Sequence, residues 1–258
     1  AAVKKIFYSS SACMYPEYNQ LDPNKMPNHI GIIIDGNRRW AKKKSVGSKL
    51  TYQIGGERVE LMLHWCLDIG IKSITLYILS AENLGRNGKE LQDLFDVIEK
   101  RLWKLYHDEI LHNNKIRVKA IGELEILPHK IKSIIMKLEE KTIQYSNHYL
   151  NIAIAYGGRL EMIGCIRKIA EKVFNGEITP SEIDERLIER FLYTCHLPDP
   201  DPDLILRTSG EERLSGFLIW QSAYSELVFL DTMWPEFRRI DFLRAIRSYQ
   251  TRQRRYGL

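Results

Sequence analysis

The sequence predicts an α/β protein, a single domain around a central parallel sheet of about six strands flanked by helices. Three observations predict it. Short β-rich runs alternate with longer helical patterns along the chain, the order expected of a parallel sheet with helices on its faces. Several of the runs are continuously apolar, as strands covered on both faces are. No Gly/Ser linker or internal repeat divides the 258 residues, a length that suits one large domain.

Residues 1–26 read as an N-terminal extension, holding Pro16, Asn19 and Pro23 and lacking the continuous apolar core of a secretory leader. The domain proper is read over residues 27–258. Its first strand is expected at 30–34. A helix follows in which Val59, Met62, Leu63, Cys66 and Leu67 fall at i, i+3, i+4, i+7 and i+8 on one face. The second strand, 74–79, precedes a helix expected over 90–112 with Leu91, Leu94, Phe95, Ile98 and Leu102 on its apolar side. The strand at 116–121 is followed by a helix carrying Ile131, Ile134, Ile135 and Leu138, and then by the strand at 150–156. Thr179, Pro180 and Glu182 spell a helix start: a cap, a proline at the first position and a glutamate at the third. The Pro-dense stretch 198–203 ends at the strand 204–206, and 227–230 is the sixth strand. Asp199, Asp201 and Asp203 sit in that stretch as turn residues.

Apolar runs of about five residues fall far short of the roughly 20 that a membrane span needs. Cys13, Cys66, Cys165 and Cys195 show no CxxC spacing and read as reduced thiols in a cytoplasmic protein. Charge is uneven. Residues 35–49 carry Arg38, Arg39, Lys42, Lys43, Lys44 and Lys49 against Asp35, a local +5; residues 238–258 carry seven arginines against Asp241, a local +6. The whole chain is only +5, so two basic clusters sit on a mildly acidic body, a pattern that suits an anionic ligand.

Ligands of parallel sheets gather at the carboxyl ends of strands, and three such ends are polar here. The first strand runs into Asp35, Gly36, Asn37, Arg38, Arg39 and Trp40. The glycine permits a tight turn and close approach to a ligand, the helix after it points free N–H groups at that spot, and two arginines add charge-assisted donors. An aspartate among phosphate ligands calls for a divalent cation between them, and Mg²⁺ is the hard, oxygen-seeking choice. The second strand ends in Ser80, Ala81, Glu82, Asn83, Leu84, Gly85 and Arg86; the fifth ends in residues 207–215, with Arg207, Arg213 and Ser215. Two anionic groups held close together, with a metal, is the combined reading.

These segments resemble a known family. Residues 29–44 (HIGIIIDGNRRWAKKK), 80–86, 156–159 (YGGR), 203–215 (DLILRTSGEERLS), 217–226 (FLIWQSAYSE) and Trp234–Pro235 are similar, in one order over roughly 27–257, to the cis-prenyltransferases, the undecaprenyl and dehydrodolichyl diphosphate synthases. The resemblance implies a sheet enclosing an apolar tunnel, and elongation of an allylic diphosphate (farnesyl or geranylgeranyl diphosphate) by isopentenyl diphosphate units to give a polyprenyl diphosphate, a glycosyl carrier lipid precursor. It implies Mg²⁺ held by Asp35 and Glu226, with Asp35 and Asn83 as the catalytic pair. Gly36, Asn37, Arg38, Arg39, Trp40 and Arg86 would take the allylic diphosphate, Trp40 lining the first part of the tunnel. Ser80, Glu82, Arg207, Arg213 and Ser215 would take isopentenyl diphosphate, joined by Arg255 and Gly257 from the tail across a homodimer interface. An amide is a poor base, so Asn83 is expected to orient the departing proton toward a diphosphate oxygen. The greasy product implies peripheral contact with membrane lipid; nucleic acid is not expected as a partner.

The chain departs from the family pattern at Ser48 and Tyr52, where an arginine and a histidine are common, and at Leu84, Asn87, Ala155 and Glu212. A tyrosine donates a hydrogen bond but carries no charge at neutral pH. Substrate choice and regiochemistry therefore stay open: a short or branched, head-to-middle condensation on the same fold is one alternative, and a non-catalytic subunit of a heteromeric enzyme is another. The helix at 90–112 is expected to form a tunnel wall, with Phe95 and Trp103 as residues able to block it.

Overall fold

A computed structural model describes residues 21–86 and 88–252. Six parallel strands form one sheet: β1 (His29–Ile33), β2 (Ser73–Ser80), β3 (Ile116–Ile121), β4 (His148–Tyr156), β5 (Leu204–Thr208) and β6 (Glu226–Leu230), in the order β3-β4-β2-β1-β5-β6. All six expected strands are present. Boundaries differ by at most two residues at an end: β4 starts two earlier, and at β5 Arg207 and Thr208 continue the ladder beyond the apolar run. Alternate side chains of the strands serve opposite faces. Ile30, Ile32, Leu76 and Ile152 pack in the main core under the helices, while Ile33, Tyr77, Ala153 and Ile205 pack on the other face around Phe217. Gly31 is required there, since a Cβ would stand 2.9 Å from the Phe217 ring.

Among the described residues seven helices connect the strands and an eighth follows β6: α1 (Asn37–Lys44), α2 (Ser48–Asp68), α3 (Gly88–His107), α4 (Glu109–Asn113), α5 (His129–Thr142), α6 (Gly158–Phe174), α7 (Glu185–Glu189) and α8 (Arg239–Thr251). Two sequence expectations need correction. The helix expected over 90–112 breaks at Asp108, whose backbone is extended and whose carboxylate accepts from the Ile110 N–H at 3.0 Å, ending α3 and capping α4. The Thr179 capping box forms, but Ile183 turns extended after one 3-10 turn and Asp184 restarts the chain as α7. Of the N-terminal extension, residues 21–26 lie against α8, where Gln250 bonds both the N–H and the carbonyl of Asp22. Asp203 serves the turn before β5, accepting from the N–H groups of Asn28 and His29. Among the described residues no helix is long and apolar enough to cross a membrane, and Cys66, Cys165 and Cys195 are free thiols.

At the amino end of the strands a polar chain crosses the sheet. The His29 Nε2 and Thr75 hydroxyl lie 2.8 Å apart, Asn151 donates to Thr75, and Asn151 Oδ1 meets His196 Nε2 at 2.9 Å. Burial pushes both imidazoles down from 6.5 to about 4. The unfolded chain therefore binds more protons than the folded one as pH falls below 6.5, so stability is full above that pH and declines toward pH 4. Urea midpoints across this range should fall with acidification, and His196→Asn should flatten part of the slope. A midpoint rising from pH 7 to pH 5 would contradict the assignment.

Candidate functional site

The chain leaves β1 toward β2 on one side and β5 toward β6 on the other, so the gap between β1 and β5 is the point where the winding reverses. In open α/β sheets such a crevice is where ligands bind. Ile33 is in register with Arg207 there, and Asp35, just beyond β1, meets it: Arg207 Nη2 donates to Asp35 Oδ2 at 2.7 Å. The Arg207 side chain is 5% exposed. Its other nitrogen, Nη1, donates to Ser215 Oγ at 2.8 Å and to the Arg213 carbonyl. The planar guanidinium thus joins the strand-end clusters of β1 and β5. The Asp35 backbone is fixed separately, by the Thr208 hydroxyl and by the Trp234 N–H at 3.0 Å.

Gly36 precedes α1 at φ +101°, and a Cβ there would stand 2.9 Å from Ser209 and 3.1 Å from Met233. Only glycine takes that conformation and fits that gap. No side chain caps α1, so the N–H groups of its first turn are free for an anion. Arg39 reaches across to Ser209 at 2.5 Å and to Glu211 at 2.9 Å; Arg213 pairs with Glu211 at 2.5 Å. A bulge in the β2–β4 ladder after Tyr77 turns the end of β2 toward the same place. There Ser80 Oγ accepts from the Asn83 N–H at 3.2 Å, holding the turn Glu82–Gly85.

One cavity of about 950 Å³ gathers these groups. Asp35, Gly36, Asn37, Arg38, Arg39, Ser80, Glu82, Asn83, Arg86, Arg207, Arg213 and Ser215 all line it. From that polar end it runs between the sheet and α2 and α3, past Val59, Leu63, Leu76, Leu94, Ile98, Leu102 and Leu105 to Asp108. Two readings of tunnel residues are corrected, and the place of Glu226 within one chain is described after them. Trp40 is the buried residue of α1 and is not on the cavity wall, because α1 packs against α2 and the Trp234 turn. Phe95 and Trp103 do not block the cavity: Phe95 packs on the core, and Trp103 faces Tyr106 and Lys137. Glu226 does not join Asp35 within one chain. It opens β6 at the amino end of the strands, opposite Leu204, and pairs with Arg252 at 2.7 Å. Arg255, Gly257 and Asn87 lie outside the described residues.

Sequence reasoning missed the acidic partners that hold the arginines. Glu90, on α3, meets Arg38 at 3.2 Å and Arg86 at 3.8 Å. Tyr52 donates to Glu90 at 2.7 Å and accepts from Arg86 at 3.0 Å. Burial and the Glu90 hydrogen bond push the Tyr52 phenol up to about 12, so it stays a neutral donor. The sequence offered only the four-residue spacing of Arg86 and Glu90, which is not a helical turn, since Arg86 is extended and α3 begins at Gly88.

Burial alone would push the Asp35 carboxyl up, but the Arg207 and Gly36 hydrogen bonds outweigh it and hold it below its ordinary range. The group is an ionised carboxylate at neutral pH. Among the described residues no group of three or more His, Cys, Asp or Glu collects as a metal cage. One carboxylate beside arginines and the uncapped N–H groups of α1 nevertheless fits Mg²⁺, which keeps several waters and takes one or two carboxylates plus phosphate oxygens.

The chain is similar to known proteins over most of its length. Residues 33–257 match the profile of the family described as "Putative undecaprenyl diphosphate synthase". The chain is 49% identical over 237 residues, 92% of its own length and 85% of the relative's, to the tritrans,polycis-undecaprenyl-diphosphate synthase (geranylgeranyl-diphosphate specific) of Methanocaldococcus jannaschii. It is 40% identical to the protein of the same description from Pyrococcus horikoshii, covering 99% of this chain and 97% of that one. Among solved structures it is similar to lavandulyl diphosphate synthase from Lavandula x intermedia in complex with dimethylallyl diphosphate, with TM-score 0.88, 34% identity, and coverage of 91% of this chain and 100% of that chain.

Proposed function

The chain belongs to the undecaprenyl diphosphate synthase family of cis-prenyltransferases, and on that premise we propose that it elongates geranylgeranyl diphosphate with isopentenyl diphosphate, in the presence of Mg²⁺, to a polyprenyl diphosphate of about undecaprenyl length. One observation carries this reading: a single cavity has two arginine-rich cradles side by side at its polar end and an apolar channel below them. The primer and product length follow the names of the relatives, 40–49% identical to this chain.

The first turn of α1, with Arg38, Arg39 and Arg86, receives the allylic diphosphate. Arg207, Arg213 and Ser215 receive the isopentenyl diphosphate, with Ser80 and Glu82 beside them. The allylic C–O bond breaks and its electron pair leaves with the diphosphate, whose growing charge the arginines and free N–H groups stabilise. Asp35 would hold Mg²⁺ there, and the ion when bound would supply further neutralisation of that charge. The terminal alkene carbon of isopentenyl diphosphate forms the new bond to the allylic carbon, a step that depends on the two cradles holding their substrates in line. Bond formation leaves a tertiary cation at the former internal alkene carbon; the methylene between it and the diphosphate-bearing carbon then loses a proton, which Asn83 orients toward a diphosphate oxygen, and the C–H electron pair forms the new double bond.

Dimer formation is part of the proposal. Along α6, Leu160, Ile163 and Ile166 are exposed, with Phe174 91% exposed at its end. An apolar face of that kind supports association with a second copy, and the tail residues Arg255 and Gly257 would belong to the isopentenyl site of that assembly. Contact with membrane lipid is proposed through the product alone.

The test is incubation with labelled isopentenyl diphosphate, Mg²⁺ and detergent, using dimethylallyl, farnesyl and geranylgeranyl diphosphates as primers. Mass and NMR analysis of the lipid should show a linear cis chain, made best from the geranylgeranyl primer. The likeness to lavandulyl diphosphate synthase supports a second reading, condensation of short units; a branched or single-addition product would establish it. No turnover with any primer would overturn both.

A further inference from the structure

The seam between α2 and α3 carries charges beside an apolar channel. Glu60 of α2 receives Arg101 at 2.7 Å and Lys104 at 2.6 Å from α3. Arg101 also donates to the Gln53 carbonyl at 2.9 Å and meets Glu57 at 3.2 Å. Glu60, Arg101 and Lys104 all reach the cavity wall, among Val59, Ile98 and Leu105. The Arg101 and Glu60 side chains are 21% and 30% exposed and Lys104 is 58% exposed, so the cluster runs from channel to solvent. The crossing is built in: a Cβ on Gly56 would stand 2.7 Å from Arg101 Nε. Burial would raise the Glu60 carboxyl, but the Lys104 and Arg101 bonds outweigh it and keep it low, so the bracket stays charged.

Arg101 stands about 16 Å along α3 from Glu90, at the 1.5 Å rise per residue of an α-helix. Nearer the polar end, Ser48–Asp93 and Lys49–Asp96 tie the same two helices. The lower bracket therefore closes the stretch of channel where the tail of the extended primer arrives and past which each added unit pushes it. A hydrocarbon cannot cover paired charges without stripping their water, so it is turned back from the seam.

We propose that the Glu60–Arg101–Lys104 bracket is a chain-length determinant, confining the growing isoprenoid between α2, α3 and the sheet and so setting where elongation stops. The inference rests on the polyprenyl synthase reading above. Opening the seam gives the chain a lateral exit and lets it grow further.

Parent, Glu60→Gln, Arg101→Leu, Arg101→Lys and Lys132→Ala proteins would be given geranylgeranyl diphosphate and labelled isopentenyl diphosphate, and product lengths read by mass as a distribution. Glu60→Gln and Arg101→Leu should lengthen the distribution by one or more five-carbon units. Arg101→Lys, which keeps a cation for Glu60, should stay closer to the parent. Lys132→Ala, which breaks the Glu125 pair away from the cavity, should leave lengths unchanged. Unchanged or shorter products from both Glu60→Gln and Arg101→Leu would overturn the inference, as would equal lengthening by Lys132→Ala. Absence of any incorporation by the parent would instead overturn the synthase reading.

Discussion

Asp35→Ala should abolish measurable product formation while leaving the fold intact. The loss expected is about 10²–10³-fold or more, the size seen when one preorganised electrostatic partner is removed from an active site. Asp35 is the carboxylate placed between the two arginine cradles, 2.7 Å from Arg207 and 3.5 Å from Arg39, and the residue that fits Mg²⁺. Its removal leaves two concentrations of positive charge and, on the proposed function, no carboxylate to hold the cation that would ease diphosphate departure. The fold should survive because the turn is held by its backbone, through Thr208 and Trp234. Asp35 itself is 32% exposed, but its partner Arg207 is 5% exposed, so losing the pair should lower stability by roughly 1–3 kcal/mol without unfolding the chain. Turnover measured beside far-UV circular dichroism and an unfolding midpoint checks both halves. Retained turnover would remove Asp35 from its assigned role.

Arg207→Lys should be nearly as damaging, in spite of its conserved charge. The guanidinium makes three directed bonds from two nitrogens, to Asp35, Ser215 and the Arg213 carbonyl. An ammonium on a shorter, flexible stem cannot reproduce that planar fork. Loss of a buried, hydrogen-bonded charge partner costs about 2–5 kcal/mol, which is roughly 30-fold or more in kcat/KM. The effect should fall more heavily on KM for isopentenyl diphosphate than for the primer, because Arg213 and Ser215 are its neighbours. Steady-state kinetics with each substrate varied in turn would show it. Equal effects on the two substrates would contradict the division of the cavity into two cradles.

Much of this architecture was legible before any coordinates. The six strands showed because buried parallel strands are short, apolar and separated by amphipathic helices. The polar end of the cavity showed because three strand ends carry glycine, hydroxyls and arginine where a solvated loop would not need them. Other features depended on tertiary geometry. Arg207 and Asp35 are 172 positions apart and meet only through the β1–β5 register. Glu226 has the residue type of a metal ligand, yet its place at the start of β6 puts it at the far end of the sheet from Asp35. The aromatic residues Trp40, Phe95 and Trp103 fit a tunnel wall by composition, but helix orientation turns all three elsewhere. Asp108 interrupts a continuous apolar pattern because its side chain caps the next helix, a choice that periodicity does not register. Tyr52 read as the loss of a charged residue; in the fold it bonds both Arg86 and Glu90.

The most direct measurement is a crystal structure with isopentenyl diphosphate and a non-ionising thiolodiphosphate analogue of the geranylgeranyl primer. One headgroup should lie at the first turn of α1 against Arg38 and Arg39, the other against Arg207, Arg213 and Ser215, with the hydrocarbon descending between α2, α3 and the sheet. Headgroups bound away from the β1–β5 crevice, or a hydrocarbon directed out of the α2–α3 channel, would contradict the account.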